Sequence, residues 1–332
     1  MVSIIEKSYT VESETLDSIF AHWRQTDSFL RWNCLFVLPV WLKPWWDNFG
    51  GNAALYLLSI RHEGRIIGIA PLQRSDTTAR LIGDENVCDN LDFIVAPETS
   101  AEFYRTLLDH LKQDGIKRLE LEPLRQDSSV MAQLLPMAEK TDCRISSEGH
   151  DMSYELALPD SWDDYLTLLS AKERHEIRRK LRRLYEAGPI SYRLVEDVSS
   201  AKKDVETFLE LFRSNRADKA EFMNDQMASF FKGLAEALEE ARILKLFFLN
   251  LDESTVSATM CFDYRSTMYL YNNGYDNDFS SFSVGLLGKV LSIKESIQSG
   301  KKTYDFLKGA EVYKRRLGGQ PVQLYRCLIE LS

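Results

Sequence analysis

Asp114-Gly115-Ile116-Lys117-Arg118-Leu119-Glu120-Leu121 and Ser299-Gly300-Lys301-Lys302-Thr303-Tyr304-Asp305-Phe306 carry one pattern twice. In each, a glycine stops a helix, a short link follows, and an alternating strand begins. The elements before them also repeat. Leu55 to Leu72 reads as two strands around the turn His62-Glu63-Gly64, with a third strand near Arg80 to Gly83 and a helix from Ala101 to Gln113. Later, strands Ile243 to Leu249 and Val256 to Phe262 flank Asp252-Glu253-Ser254, and strand Met268 to Tyr271 and a helix from Ser283 to Gln298 follow. An internal duplication of an α/β unit explains both runs.

A chain of 332 residues accommodates two such units with a core each, and 44% hydrophobic residues supply those cores. The net charge of -9 argues against general nucleic-acid binding, so any anion site must be local. Cys34, Cys88, Cys143, Cys261 and Cys327 are widely spaced and odd in number, which reads as a reducing cytoplasm. Met1 to Glu12 lacks the pattern of a signal peptide, and the apolar run Cys34 to Leu42 is too short to span a bilayer, so no stable membrane insertion is expected. Trp32, Trp41, Trp45 and Trp46 read as core aromatics rather than a lipid or sugar platform. The five histidines show no metal-ligand spacing, and no metal site is expected. Phosphate-cradling loops of the nucleotide-hydrolysing and dinucleotide types are missing, as is a serine nucleophile elbow.

Between the halves, Asp160 or Ser161 caps a short helix ending near Leu169. A longer helix from Ser170, with Glu173 as capping-box partner, runs to Gly188-Pro189. Its apolar face is Ile177, Leu181 and Leu184; around it lie Lys172, Arg174, Arg178, Arg179, Lys180, Arg182 and Arg183. Such a cluster reads either as a solvated face or as a site for a phosphorylated ligand. Strand, helix and parallel strand from Met268 to Phe306 leave the helix start at the strand ends, where unpaired N–H groups and the helix dipole favour anions. In Ser283-Val284-Gly285-Leu286-Leu287 the glycine permits close backbone approach, and Ser283 caps the helix or donates to a phosphate oxygen.

These features resemble the acyl-CoA-binding core of GNAT acyltransferases. Leu158-Pro159-Asp160-Ser161-Trp162-Asp163-Asp164-Tyr165-Leu166, the basic helix, Tyr271-Asn272-Asn273-Gly274-Tyr275-Asp276 and Asp305-Phe306-Leu307-Lys308-Gly309-Ala310-Glu311-Val312-Tyr313-Lys314 are similar to the tandem-GNAT, cellulose-biosynthesis acetyltransferase-like family, related to Fem-type aminoacyl-transferases. Of the usual Arg/Gln-x-x-Gly-x-Gly/Ala run before the helix, Gly285 alone is present.

The resemblance implies an α/β (α+β) fold of two tandem GNAT-like domains, 1–150 and 151–332, each a mixed sheet with an antiparallel hairpin and a β-α-β unit flanked by helices. It implies acyl transfer from acyl-CoA to an amine or hydroxyl, on a small-molecule or saccharide acceptor in polysaccharide or cell-envelope synthesis. Ser283, Val284, Gly285, Leu286 and Leu287 would hold the pyrophosphate, and the pantetheine arm would lie between strands Met268 to Tyr271 and Tyr304 to Leu307. Asp305 and Glu311 would act as bases and Tyr313 as acid, with Arg178, Arg182, Asn273, Tyr275, Lys308 and Lys314 as substrate contacts. The first half, with no counterpart of Gly285 near Pro97 to Ala101, would shape the acceptor side. Two alternatives keep the fold: an aminoacyl-tRNA-dependent transferase, in which tRNA is the partner, and a binding or scaffold protein without chemistry.

Overall fold

The computed structural model describes residues 9–25, 29–195, 198–215 and 217–331, and of residues 198–202 the backbone alone. The reading of Met1 to Glu12 therefore lies outside the described residues as far as residue 8. Two compact units are present, Met1–Asp151 with Gln323–Ser332, and Met152–Val322.

The elements in chain order are β1 (Tyr9–Ser13), α1 (Leu16–Trp23), α2 (Pro39–Phe49), β2 (Ala54–His62), β3 (Arg65–Ser75), β4 (Thr78–Leu81), β5 (Ile94–Val95), α3 (Ser100–Gln113), β6 (Arg118–Arg125), α4 (Leu135–Ala138) and β7 (Arg144–Ala157). There follow α5 (Trp162–Leu168), α6 (Ala171–Ala187), β8 (Ile190–Leu194), α7 (Val198–Asn215), α8 (Ala217–Phe222), α9 (Asp225–Glu240), β9 (Leu244–Leu251), β10 (Ser254–Tyr264), β11 (Thr267–Tyr275), α10 (Val284–Gln298), β12 (Thr303–Lys308), α11 (Val312–Arg316) and β13 (Gln320–Glu330).

In the first unit the strand order is β1-β2-β3-β4-β6-β13, with β5 on β3; β4 and β6 run parallel and the other pairs antiparallel. Its core holds Phe36, Trp41, Phe103 and Tyr104, all fully buried. Trp32 and Trp45 are buried as well and Trp46 is half-buried, so the tryptophan-rich segment packs inward. In the second unit the order is β7-β12-β11-β10-β9-β8, with β7 entering through Ser153 to Ala157 and β11 parallel to β12.

The duplication extends to individual backbone bonds. Glu63 and Asp252 turn the two hairpins at φ 50° and 53°, Asp76 and Arg265 turn the next links at 51° and 58°, and Gly115 and Gly300 end the helices at 79° and 71°. The amide of Lys117 donates to Thr77 O at 2.7 Å, as that of Lys302 does to Ser266 O at 2.8 Å. The antiparallel neighbour of the last common strand comes from elsewhere in the chain. Glu330 of β13 lies opposite Arg118 of β6, whereas Ala157 of β7 lies opposite Thr303 of β12. Each unit thus takes its closing strand from the segment that follows the other unit's β-α-β motif.

Helix α10 is apolar on most of its circumference because it lies between β9, β10 and β11 on one side and α5 and α6 on the other. Leu287, Val290 and Ile293 are fully buried in it, each worth about 1.5–3 kcal/mol. Gly288 allows the close approach, since a Cβ there would stand 2.9 Å from Ser257 Oγ of β10. Among the described residues, no helix is long and apolar enough to cross a membrane.

Candidate active site

Strands β11 and β12 pair over three positions, Thr267 to Tyr269 against Thr303 to Asp305, and then part. A bend at Leu307, with φ 60°, accompanies the parting. The start of α10 opens beside this splay onto a cavity of about 260 Å³, walled by Tyr275, Ser280, Gly285, Leu286, Lys289 and Tyr313 with Ser283 and Val284. That volume is at the small end of ligand pockets and suits one part of an extended ligand.

Ser283 to Leu286 border the cavity, although Val284 and Gly285 are themselves buried. Amides of Leu286 and Leu287 both donate to Ser283 O at 3.0 Å, while those of Val284 and Gly285 have no partner among the described residues. Ser283 does not cap the helix. Its backbone is left-handed, its side chain makes no capping bond, and its Oγ instead receives Lys180 Nζ of α6 at 2.6 Å. Arg183, one turn on, lies over the Phe282 ring at 5.5 Å. The basic helix is thereby docked against the helix start that composition alone could only suggest as an anion site.

Gly285 serves a different contact from the one its flexibility suggests, for a Cβ there would strike the Tyr275 ring. The glycine seats Tyr275 in the wall. Leu287 faces the core, fully buried, and does not line the cavity.

Lys289, one turn after Gly285, is the charged group of the wall. Its Nζ donates to Asn273 Oδ1 at 2.7 Å and to Gly285 O at 2.9 Å, and lies 4.9 Å from the centroid of the Tyr313 ring. Asn273 is held from behind: its Nδ2 donates to Ser257 Oγ, Ala258 O and Thr259 Oγ1 at 3.1, 2.9 and 3.1 Å, which fixes Oδ1 toward the lysine. Burial, and after it the nearby Lys219, pulls the Lys289 ammonium down to about 7. Burial, with the Glu311 charge second, holds the Tyr313 hydroxyl well above its ordinary range, so it stays protonated. Lys289 is the residue that sequence reasoning missed, its signal a single charge within Val284 to Ile293, whereas Lys180 stood in the basic cluster without a role of its own.

Other candidates lie outside the cavity wall. Asp305 is buried in β12 and its Oδ1 accepts the Leu307 amide at 2.8 Å and Ser153 Oγ at 3.3 Å, so it stabilises the bend. Glu311 is exposed and paired with Lys314 at 3.0 Å. Lys314, 2% exposed, donates to Leu307 O at 3.0 Å and to Lys308 O, which ties the segment after β12 to α11. Lys314→Met should therefore cost about 2–3 kcal/mol, because two carbonyls and a carboxylate lose their donor; urea unfolding measures it, and an unchanged midpoint would refute the tie. Lys308 is half-buried, away from the wall. On α6, Arg178 is exposed and Arg182 faces Glu186 at 3.8 Å, while Arg179 and Lys180 share Glu176. Acids on the same helix thus balance part of its charge. Ser170 accepts the Glu173 amide at 3.2 Å, but Glu173 turns to Arg316 and leaves the capping box half made.

Residues 171–315 match the family model described as an acetyltransferase (GNAT) domain. Among solved structures, FemX is similar over 96% of this chain and 96% of its own, with a TM-score of 0.66 at 13% identity. A conserved protein of unknown function from Bacteroides thetaiotaomicron VPI-5482 is similar over 97% and 100%, at 0.61 and 13%. L-PGS from Bacillus licheniformis is similar over 87% and 90%, at 0.53 and 11%. No curated protein matches the chain by sequence. At such identities the likeness carries the fold, two GNAT-like α/β units in tandem, and the function must be argued from the site.

Proposed function

We propose that the chain is an acyltransferase that moves an acyl group from an acyl-CoA to an amine or hydroxyl acceptor. The observation that carries the reading is the start of α10: unpaired amides at Val284 and Gly285, with Lys180 beside them, open onto a cavity at the splay of β11 and β12. Among the described residues no carboxylate lines that cavity, which suits a phosphate-bearing donor. The GNAT-domain match over 171–315 supports the same donor class. The stretches that resemble the cellulose-biosynthesis acetyltransferase-like family favour a saccharide or cell-envelope acceptor. Five free cysteines agree with a cytoplasmic setting.

In this reading the donor supplies a thioester, activated for attack, and the chain supplies position and proton transfer. Val284 and Gly285 N–H groups and Lys180 hold phosphate, the last by exchanging its bond to Ser283. The parted strands receive the arm. Lys289, unprotonated in good part near pH 7, takes the proton of the attacking amine or hydroxyl. Tyr313, kept protonated, donates to the departing thiolate. Asp305 and Glu311 are committed to the bend and to Lys314, so the catalytic assignment rests on Lys289 and Tyr313. Tyr313→Phe is then expected to lower kcat about 100-fold with KM little changed. An equal kcat would remove the tyrosine from the chemistry. Calorimetric titration of the full chain with acetyl-CoA tests the reading as a whole: saturable binding is expected, and its absence overturns it.

A second reading, aminoacyl-tRNA as donor, is favoured by the exposed Arg178 and by Arg182 on the helix that delivers Lys180. It predicts tRNA binding that weakens steeply with salt. A titration without any mobility shift at low salt eliminates it.

A further inference from the structure

We propose that Lys289 is itself an acyl acceptor, so that a donor held in the cavity without an acceptor transfers its acyl group to Nζ and leaves an Nε-acyl-lysine that shuts the site. The inference rests on the acyl-CoA reading above.

Geometry makes the lysine a placed nucleophile. A neutral amine has two N–H bonds and one lone pair. At Lys289 both N–H directions have protein acceptors, Asn273 Oδ1 at 2.7 Å and Gly285 O at 2.9 Å. The position that remains belongs to a nitrogen that lines the cavity and stands 4.9 Å from the Tyr313 ring centroid. Asn273 cannot turn away to release it, since its own amide nitrogen has three partners. The other nucleophilic atoms of the wall are hydroxyls, those of Tyr275, Ser280, Ser283 and Tyr313.

Protonation state favours the same atom. The charged and titratable groups that act on it are Lys219 of α8, Cys261 of β10, and Glu311 and Lys314 at and beside α11, with the Tyr313 ring against it. Burial, with Lys219 and Lys314 acting the same way, outweighs Glu311 and Cys261 and brings Lys289 to about 7, whereas roughly one exposed lysine in a thousand is unprotonated at pH 7.5. In the reaction Nζ forms a bond to the thioester carbonyl carbon and the carbon–sulfur bond breaks. The proton lost from nitrogen goes to the thiolate, through the Tyr313 hydroxyl, and gives free thiol. Amide formation is effectively irreversible here and removes the base that the transfer reaction needs. The acyltransferase would thus switch itself off when donor accumulates without acceptor.

The test is peptide mass spectrometry of the full-length protein incubated with acetyl-CoA alone, beside calorimetry on the same preparation. Acetylation at Lys289 should run at least tenfold faster than at the exposed Lys172 and Lys302, saturate with donor, slow when CoA is added in excess, and rise with pH through about 7. Lys289→Met, near-isosteric with the lysine, should lose that product. Binding without preferential Lys289 acetylation overturns this inference and leaves the donor reading standing; no binding overturns the donor reading. Equal labelling by acetyl phosphate also overturns it, because the held thioester would then be irrelevant.

Discussion

Lys289→Met is expected to lower kcat/KM by about 10²–10³ and to abolish the rise of activity with pH through about 7. The side chain is near-isosteric, so the cavity keeps its shape while the proton acceptor disappears. The stability effect has the opposite sign. In the folded chain this lysine gives up its proton near pH 7, but in the unfolded chain it keeps it to about 10.5. Between those values the unfolded state binds the extra proton, so this group's contribution to stability rises with pH across that window and is at its worst below it. Removing the charge should therefore raise Tm at pH 6, with the gain fading toward pH 10. Thermal unfolding at both pH values checks this. A variant that is less stable at pH 6, or that retains a pH-dependent kcat/KM, would show that the fold welcomes the charge and that another group is the base.

Gly285→Leu carries the second large expectation, at least a 100-fold loss of acetyl-CoA affinity by calorimetry. Even a methyl group at this position meets the Tyr275 ring, so the ring must move, and both groups wall a cavity of only about 260 Å³. Overpacking of this kind also costs about 1–3 kcal/mol of stability. The informative control is Gly288→Ala, one turn away. There a Cβ presses on Ser257 and Thr259 of β10 rather than on the wall, so stability falls while donor affinity persists. Wild-type affinity in Gly285→Leu would place the donor elsewhere and defeat the acyl-CoA assignment at this helix start.

Much of the second unit was legible because its signals are local. Turn residues at Asp252, the helix stop at Gly300 and the alternation of β11 each need only neighbours in the chain, and the hairpins and the β-α-β motif formed where those residues indicated. Other features depend on partners far away. Ser283 reads as a helix cap until Lys180, distant in sequence, takes its hydroxyl. Asp305 reads as a catalytic carboxylate because it lies in a strand beside the expected acyl site, yet the bend at Leu307 uses it. Lys289 escaped notice since its surroundings in sequence are apolar, and its chemistry comes from Asn273 on a different strand. The closing strands were equally unreadable: nothing local in Gln323 to Leu331 indicates pairing with β6.

That exchange of closing strands sets an order of events during synthesis. A ribosome releases residues at about 5–20 per second, N-terminus first. The unit made second, Met152–Val322, is contiguous and can complete its sheet as soon as it emerges. The unit made first must wait, its β6 edge bare, until Leu324 to Glu330 has been translated. Such an edge is a template for wrong pairing, so the earlier unit carries the greater aggregation risk until its closing strand is made.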